Sequence, residues 1–547
     1  KQGVAPQQFV DEITAKFVAL WEKLDVHYDD WAATTAPRHK DCVRAILQRL
    51  WDQRGGGARD KRGTDLGEQD PATGASRWLY KKTEGGWYSV RQEQFLTDKE
   101  RGPDGEFGPA WQPVEFREEE NFYFRLLDHK QWLLDLIDAR SRAGRPLVVP
   151  DYRVAELRNA VEKLESDLCI SRPASRLQWG IPFPESFGAG FVTYVWFDAL
   201  VNYLSFAPGY DPAPVAAVCD RRTSAGEGGG SAPPPPTEIG DGHRPPLQEF
   251  RKWWPALHVI GKDILIPAHG VYWPIMLKAL GFGDDEMPTL LVHGWWNIAG
   301  AKMSKSLGNI IDPDALADKY GPEALRYYLM SDIATGRDAD FSEERLIQRY
   351  NTDLANSLGN LLNRTLSMAG KYRDGRLTLP RPSQSSLSPN DYEVLGQQIR
   401  AAGQIPRTVT FHDFAALADS SLTLVTRAFD ECRVDLAIGF TNYLIDVTNR
   451  AVQMMEPWVR FKDPILRASI DLVLYELAES LRIIAILIYP VLPRAAHGIF
   501  DQLNWKMNES GRSQRFHLDD AKWGGLPDGH VLGKPTPLFP RIEAQPV

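Results

Sequence analysis

Five consecutive residues carry the sharpest chemical signal in the chain: Lys302-Met303-Ser304-Lys305-Ser306, flanked by Gly300 and Gly308. Two lysines with small polar spacers suit triphosphate chemistry. Both ammonium groups can face the phosphates and neutralise charge that builds on departing pyrophosphate. The serines add hydrogen-bond donors, and the glycines permit the loop to close and reopen. An arbitrary Lys-x-x-Lys is more often a solvated basic turn. The full string, followed by Leu307-Gly308-Asn309, is far more specific. A second group, Trp196, Ala199 and Tyr203, has helical spacing, so one face can present two aromatics and a small gap. Such a wall suits a thioether, because sulfur is polarizable and packs well against rings, although ordinary core packing gives the same periodicity. A third group, Asn360 and Arg364, is four residues apart and shares one helix face, where an amide and a guanidinium can read base edges. Trp458 follows Glu456-Pro457, a helix end that can leave the ring exposed for base stacking. Taken alone, these last three would be a surface polar pair and a core tryptophan.

With these residues in place, the chain resembles the class I aminoacyl-tRNA synthetases and, among them, the methionyl-tRNA synthetases. The likeness rests on the KMSKS string at 302–306, on Tyr194-Val195-Trp196-Phe197-Asp198-Ala199-Leu200, on His258-Val259-Ile260-Gly261-Lys262-Asp263-Ile264, and on His293-Gly294-Trp295. It runs from Val10 to Glu543. It implies an α/β fold. An incomplete class I Rossmann-like catalytic domain with a connective insertion is followed by an α-helical bundle that binds the anticodon. It also implies methionine–tRNA ligation: ATP activates methionine to methionyl-adenylate, and the tRNA's terminal ribose then takes the methionyl group. Lys302 and Lys305 are the implied catalytic residues, and Lys302, Met303, Ser304, Lys305, Ser306, His293 and Gly294 the implied ATP site. Trp196, Ala199, Leu200, Tyr203 and His269 would line the methionine pocket, and Asn360, Arg364 and Trp458 would bind the CAU anticodon. Lys262 and Asp263 match positions near the nucleotide, although a carboxylate capping a helix is a rival reading for Asp263. Arg337, Arg345 and Arg349 are candidates for tRNA phosphates, with a solvated face as the default. The partners implied are ATP with Mg2+, methionine, and both elongator and initiator methionine tRNA.

Four departures qualify the resemblance. The interval from Gly261 to His269 is one residue longer than it implies. A class I synthetase carries a His-x-Gly-His string whose imidazoles meet ATP phosphates at a helix N-terminus. The eleven histidines here come no closer than His258 and His269, so no such string is present. The expectation is an N-terminally incomplete sequence, or alternatively a paralogue that lost catalysis, and inefficient adenylate formation by the chain as given. Where many relatives have a Gly-Trp-Tyr-Cys string, this chain has Gly86-Trp87-Tyr88-Ser89, and no cysteine follows until Cys169. The insertion is therefore expected to hold no zinc, and no other metal site is expected. No tRNA-binding barrel follows Val547, which favours a monomer.

The elements that must position these groups follow from periodicity. Phe9, Ile13, Phe17, Leu20 and Trp21 recur at helical spacing, and Asp41–Trp51 reads as another helix. Arg54–Ser76 is Gly-rich and charged, a surface insertion, whereas Trp78–Phe107 reads as small strands and turns. Glu118–Ile137 and Val154–Leu168 have helical spacing. Gly190–Phe197, Leu257–Ile260 and Thr289–Val292 are apolar runs of strand type, and their alternation with helices predicts part of a parallel sheet. Arg221–Pro246, with three consecutive Gly and four consecutive Pro, reads as a disordered low-complexity loop. Helices are predicted at Leu346–Lys371, Asp413–Glu431, Leu436–Met455 and Ile465–Leu487. The domain division expected is 1–175, 176–335 and 336–547.

Composition sets the outer bounds. The 547 residues allow three or four domains, with 43% apolar and 25% charged residues as in ordinary globular chains. Lys and Arg number 63 against 72 Asp and Glu, a net −9, which argues against a purely electrostatic nucleic-acid coat. The most apolar stretch, Ile483–Leu492, is about half the length of a spanning helix, so no membrane partner is expected. The four cysteines form no Cys-x-x-Cys pair, which fits a reducing compartment. The cytoplasm is the expected location, with an organellar matrix as the alternative. Two rival functions remain open: a non-catalytic tRNA-binding protein on the same scaffold, and a class I synthetase for another amino acid. A metabolic nucleotidyltransferase is remoter.

Overall fold

The computed structural model describes residues 4–53, 76–91, 94–96, 98–212, 246–303, 308–379, 413–506 and 516–543. The insertion expected at Arg54–Ser76 lies outside them but for Ser76, and the loop expected at Arg221–Pro246 but for Pro246. Ser304, Lys305, Ser306 and Leu307 also lie outside. The chain divides into two compact units, Asp29–Val292 and Lys1–Tyr28 with His293–Val547.

In the Asp29–Val292 unit, a four-stranded sheet has the order Gln94–Leu96, Leu79–Ser89, Val114–Phe124, Leu168–Cys169. All its neighbouring pairs are antiparallel. The two long strands pair throughout, from Leu79 opposite Phe124 to Ser89 opposite Val114. Part of the helix expected from Glu118 is therefore strand, and the helix begins only at Lys130. The cause is the Phe122-Tyr123-Phe124 run. Aromatics favour a pleated, half-buried surface, and Phe122 and Phe124 are buried in the unit's core. The helix expected over Val154–Leu168 stops at Glu162, because Leu168 joins the sheet. The run at Gly190–Phe197 is strand only over Phe191–Thr193. From Val195 to Ser205 it is helix, with Phe197, Leu200, Val201 and Leu204 buried on one face. A three-stranded sheet orders Val148–Val149, Thr289–His293 and Leu257–Gly261, the first two parallel with Val148 opposite Leu290. The predicted strands at 257–260 and 289–292 are both present.

The other unit contains the Pro6–Lys23 helix, a small sheet and a helical bundle. The sheet orders Ala301–Lys302, Trp296–Ile298 and Ala339–Asp340, antiparallel and then parallel. A helical run follows from Glu343 through Arg373, wound as a π-helix over Tyr350–Gly359. The remaining predicted helices are found at Phe414–Asp430, Val434–Met455 and Ser469–Ile488. The last is buried on every side from Val473 to Ile488, the mark of a central helix. Two of its charged groups, Glu479 and Arg482, form a fully buried ion pair with Nη2 and Oε1 2.5 Å apart. Glu479 also accepts from the backbone N–H groups of Gly524 and Gly525 at 2.7 Å and Leu526 at 3.2 Å. Arg482 donates to the carbonyls of Asp520 and, at 2.6 Å, Lys522. Among the described residues, no helix is long and apolar enough to cross a membrane.

Candidate functional site

The lysine string starts on a tight hairpin. Strands Trp296–Ile298 and Ala301–Lys302 are joined by two residues, Ala299 and Gly300, both with positive φ (49° and 76°). This is the sign pattern of a type I′ turn, whose twist matches the strands it connects. Asp340 fixes the turn by accepting from the Gly300 N–H at 2.7 Å. Lys302 therefore stands at the end of a held strand, opposite Asn297. Its ammonium lies over the Trp295 ring, 3.9 Å from the centroid. Met303 is half-buried, and the other three residues of the string lie outside the described region. His293 and Gly294 sit just upstream, joined by a contact of 2.9 Å between Nδ1 and the Gly294 carbonyl. Gly294 admits no side chain: a Cβ there would fall 2.0 Å from the Arg337 carbonyl oxygen.

The amino-acid candidates lie on the Val195–Ser205 helix and on the segment after strand Leu257–Gly261. Trp196 is 36% exposed, Ala199 and Tyr203 are half-buried, and Leu200 is packed in the core. His269 comes to this helix: its Nε2 lies 2.8 Å from the Tyr203 hydroxyl and its Nδ1 2.9 Å from the Ile264 carbonyl. A carbonyl only accepts, so Nδ1 carries the proton and Nε2 accepts from Tyr203. Burial favours this neutral form and lowers the His269 pKa. The backbone before His269 is irregular. Pro267 drives Ile266 into an extended conformation (φ −110°, ψ 128°), and Leu265–Tyr272 is wound as an interrupted π-helix. His258 packs its ring 3.9 Å from Tyr203. Asp263 is exposed and Lys262 half-buried in the turn between.

His39 and His258 are buried in the same unit as His269, and burial lowers their pKa values to about 4 and about 3. Unfolded histidine titrates near 6.5, so unfolding takes up protons at these sites below that pH. The stability they support is complete above about pH 6.5 and is lost as pH falls toward 4. The pKa of His129, in the same unit, is lowered to about 4 as well, so the denaturation midpoint of this unit is expected to drop over that window as the unfolded chain takes up protons at these four histidines. Urea titrations at stepped pH measure it; a flat profile would contradict it.

At the helical end, Asn360 is exposed and Arg364 half-buried on the Asn360–Arg373 helix. Glu456, left-handed at φ 43°, ends the Val434–Met455 helix, and Pro457 starts the next turn. Trp458 is thereby left 37% exposed, with the Arg364 guanidinium carbon 5.8 Å from its ring. Gln453, oriented oxygen-inward, accepts from Arg364 at 3.0 and 3.3 Å. The structure thus brings Arg364 and Trp458 together. Arg345 and Arg349 instead pair with the buried Asp332 at 2.7 and 3.4 Å, which ties both charges to the protein.

Sequence reasoning passed over Asp198. Burial lifts its pKa to about 6, and it accepts from the Thr193 hydroxyl at 2.8 Å. It lines a cavity with Arg117, Arg172, Arg176 and Trp179. The spacing Arg172-x-x-x-Arg176-x-x-Trp179 was the available signal.

Comparison with known proteins agrees with this geometry. A family model described as tRNA synthetases class I (M) matches residues 1–56 and 110–366. A methionine–tRNA ligase from Thermosynechococcus vestitus is 33% identical over 99% of this chain and 87% of its own length. One from Bacillus subtilis is 32% identical over 100% and 70% respectively. A solved structure of Mycobacterium tuberculosis methionyl-tRNA synthetase in complex with methionyl-adenylate superposes with a TM-score of 0.72 at 30% identity, covering 98% of this chain and 88% of that one. With a catalytic-site pattern, a helical partner unit and near full-length relatives all in agreement, the chain belongs to the methionyl-tRNA synthetases of class I.

Proposed function

We propose that the chain ligates methionine to its tRNA: ATP and methionine yield methionyl-adenylate and pyrophosphate, and the tRNA's 3′-terminal ribose then takes the methionyl group. The Tyr203–His269 hydrogen bond, on the helix that also carries Trp196, is the observation that carries this reading. It joins two chain segments into one wall with a neutral imidazole and aromatic faces, which suits an uncharged thioether. Ala199 leaves room beside the rings, and Leu200 backs the wall from the core. Positioning and charge stabilisation dominate, because little covalent chemistry falls to the protein. Lys302, with Met303, Ser304, Lys305 and Ser306, would hold the triphosphate, and His293 and Gly294 the nucleotide. Magnesium would supply charge neutralisation on the phosphate oxygens; among the described residues no group of three or more His, Cys, Asp or Glu is placed to hold a metal. The insertion in this reading works without zinc: Ser89 stands where the resemblance implies a cysteine, and its hydroxyl donates to the Trp111 carbonyl at 2.5 Å. The reading further takes the chain as a monomer of the cytoplasm, or of an organellar matrix, with domains at 1–175, 176–335 and 336–547.

ATP–pyrophosphate exchange against an amino-acid panel tests the reading. Methionine should be the preferred substrate. Preference for another amino acid would favour a sister synthetase, and tRNA binding with no exchange would favour a non-catalytic protein. Asn360, Arg364 and Trp458 would read the anticodon. Trp458→Ala and Arg364→Gln are each expected to raise the KM for methionine tRNA about tenfold or more, from lost stacking or base-edge bonds. Exchange, which needs no tRNA, should not change. Aminoacylation kinetics with methionine tRNA check this, and an unchanged KM would remove the assignment.

A further inference from the structure

The helix that carries Trp196, Ala199 and Tyr203 is gripped at its C-terminal end by a second helix, Pro37–Asp52. The buried stripe of that second helix includes His39, Val43, Ile46, Leu47 and Leu50. Its first position is thus an imidazole where the pattern calls for an aliphatic side chain. His39 has no exposure, and its Nδ1 lies 2.9 Å from the hydroxyl of Ser205, the last residue of the Val195–Ser205 helix. The next residue, Phe206, is held as well. The Arg38 guanidinium stands 3.8 Å over its ring, and the His39 ring lies 6.4 Å from it. The other imidazole nitrogen of His39, Nε2, is buried and has no hydrogen-bond partner among the described residues.

A buried polar atom left unpaired is costly, and an aliphatic side chain of similar size would fill this place without that cost. What the imidazole adds is the bond made by Nδ1. Its location gives that bond a use. Successive residues turn by about 100° on a helix, so Ser205 lies roughly 180–200° round from Trp196 and Tyr203. His39 therefore holds the helix from behind, on the side away from the two rings. A hydrogen bond there is directional and opposes rotation of the helix about its axis. The core contacts of Phe197, Leu200, Val201 and Leu204 are non-directional and define that rotation less closely. We propose that His39 is a positioning residue for methionine: through Ser205 it sets the rotation of the Val195–Ser205 helix, and with it the place of the Trp196 and Tyr203 rings around the thioether. It touches no substrate itself. This rests on the synthetase reading above and adds a residue from a distant segment that governs methionine affinity.

The test is equilibrium dialysis with labelled methionine, and with ATP in parallel, alongside thermal melts. The full chain is used as wild type, His39→Leu, His39→Asn, Ser205→Ala and the double variant His39→Leu/Ser205→Ala. His39→Leu is expected to raise the Kd for methionine about tenfold, because a displaced wall fits its ligand less well, and to leave the Kd for ATP unchanged. His39→Asn puts an amide nitrogen or oxygen near the place of Nδ1 and should restore most of the affinity. Ser205→Ala removes the same bond from its other end and should match His39→Leu. The double variant should be no weaker than either single one, since one bond is lost in all three. Ser205 is half-buried and alanine favours a helix, so Ser205→Ala reports on the bond even where His39→Leu fails to fold. A role in folding alone would lower the melting temperature and leave both affinities of the folded protein as they were. That result, equal losses for methionine and ATP, or losses that add in the double variant would each overturn the proposal. Failure of wild type to bind methionine would instead overturn the synthetase reading, and this inference with it.

Discussion

Lys302→Ala is expected to slow ATP–pyrophosphate exchange by about 10²–10³-fold, the usual effect of deleting one preorganised group that meets developing charge. The Kd for methionine should stay nearly the same, because Lys302 belongs to the nucleotide loop and Trp196, Tyr203 and His269 to a different segment. The hairpin supports the size of the effect. Lys302 is held in register opposite Asn297, and its ammonium rests on Trp295. An exposed cation–π contact is worth only about 0.5–1 kcal/mol, so a triphosphate can draw the ammonium away at small cost. Lys305→Ala should act in the same direction. Trp295→Ala should have a much smaller effect, since it removes the ammonium's resting place and not its charge. Exchange rates and methionine binding, measured on the same preparations, decide the matter. A loss of methionine affinity that matched the loss of rate would show that Lys302 shapes the pocket and does not stabilise the transition state.

Glu479→Ala should be the most damaging change to stability, at about 3–5 kcal/mol. That is a large part of the 5–15 kcal/mol typical of a domain. The variant leaves Arg482 charged in a site with no exposure and strands three backbone N–H groups, those of Gly524, Gly525 and Leu526. The pair ties the central Ser469–Ile488 helix to the 520–526 segment, so the loss should unfold that segment first. The double variant Glu479→Leu/Arg482→Met should be far milder, because removing both charges also removes the uncompensated one. Urea denaturation followed by circular dichroism measures both. A single variant as stable as the double one would show that the pair is solvated and weak.

The helical end was legible because its signal is strong: long amphipathic runs such as 436–455 fold where their periodicity places them. The stretch at Glu118 was not, because its aromatics read equally well at either period and only the partner strand at Leu79–Ser89 decides between them. At Val195 the helical spacing of Trp196, Ala199 and Tyr203 was legible, but apolar content alone did not mark where the strand ends and the helix begins. Among site residues, the lysine string and Trp196 could be found from contiguous motifs. Asp198, Arg172 and Trp179 lie near one another in the chain, but the cavity they share also takes Thr34, Tyr88 and Arg117 from distant segments, and that grouping was not legible. Nor could sequence show that Arg345 and Arg349 are tied to a buried aspartate.

The interrupted π-turn at Leu265–Tyr272 has a consequence for how such chains diverge. A helical segment that breaks at one extended residue, Ile266, can change its length at the break while the winding after it is kept. His269 reaches the Tyr203 hydroxyl from within this irregular turn. The contact thus depends on how this turn is wound and not only on the count of residues before it. Insertions and deletions at this point should be tolerated in descendants wherever a proline or similar break lets the winding absorb them.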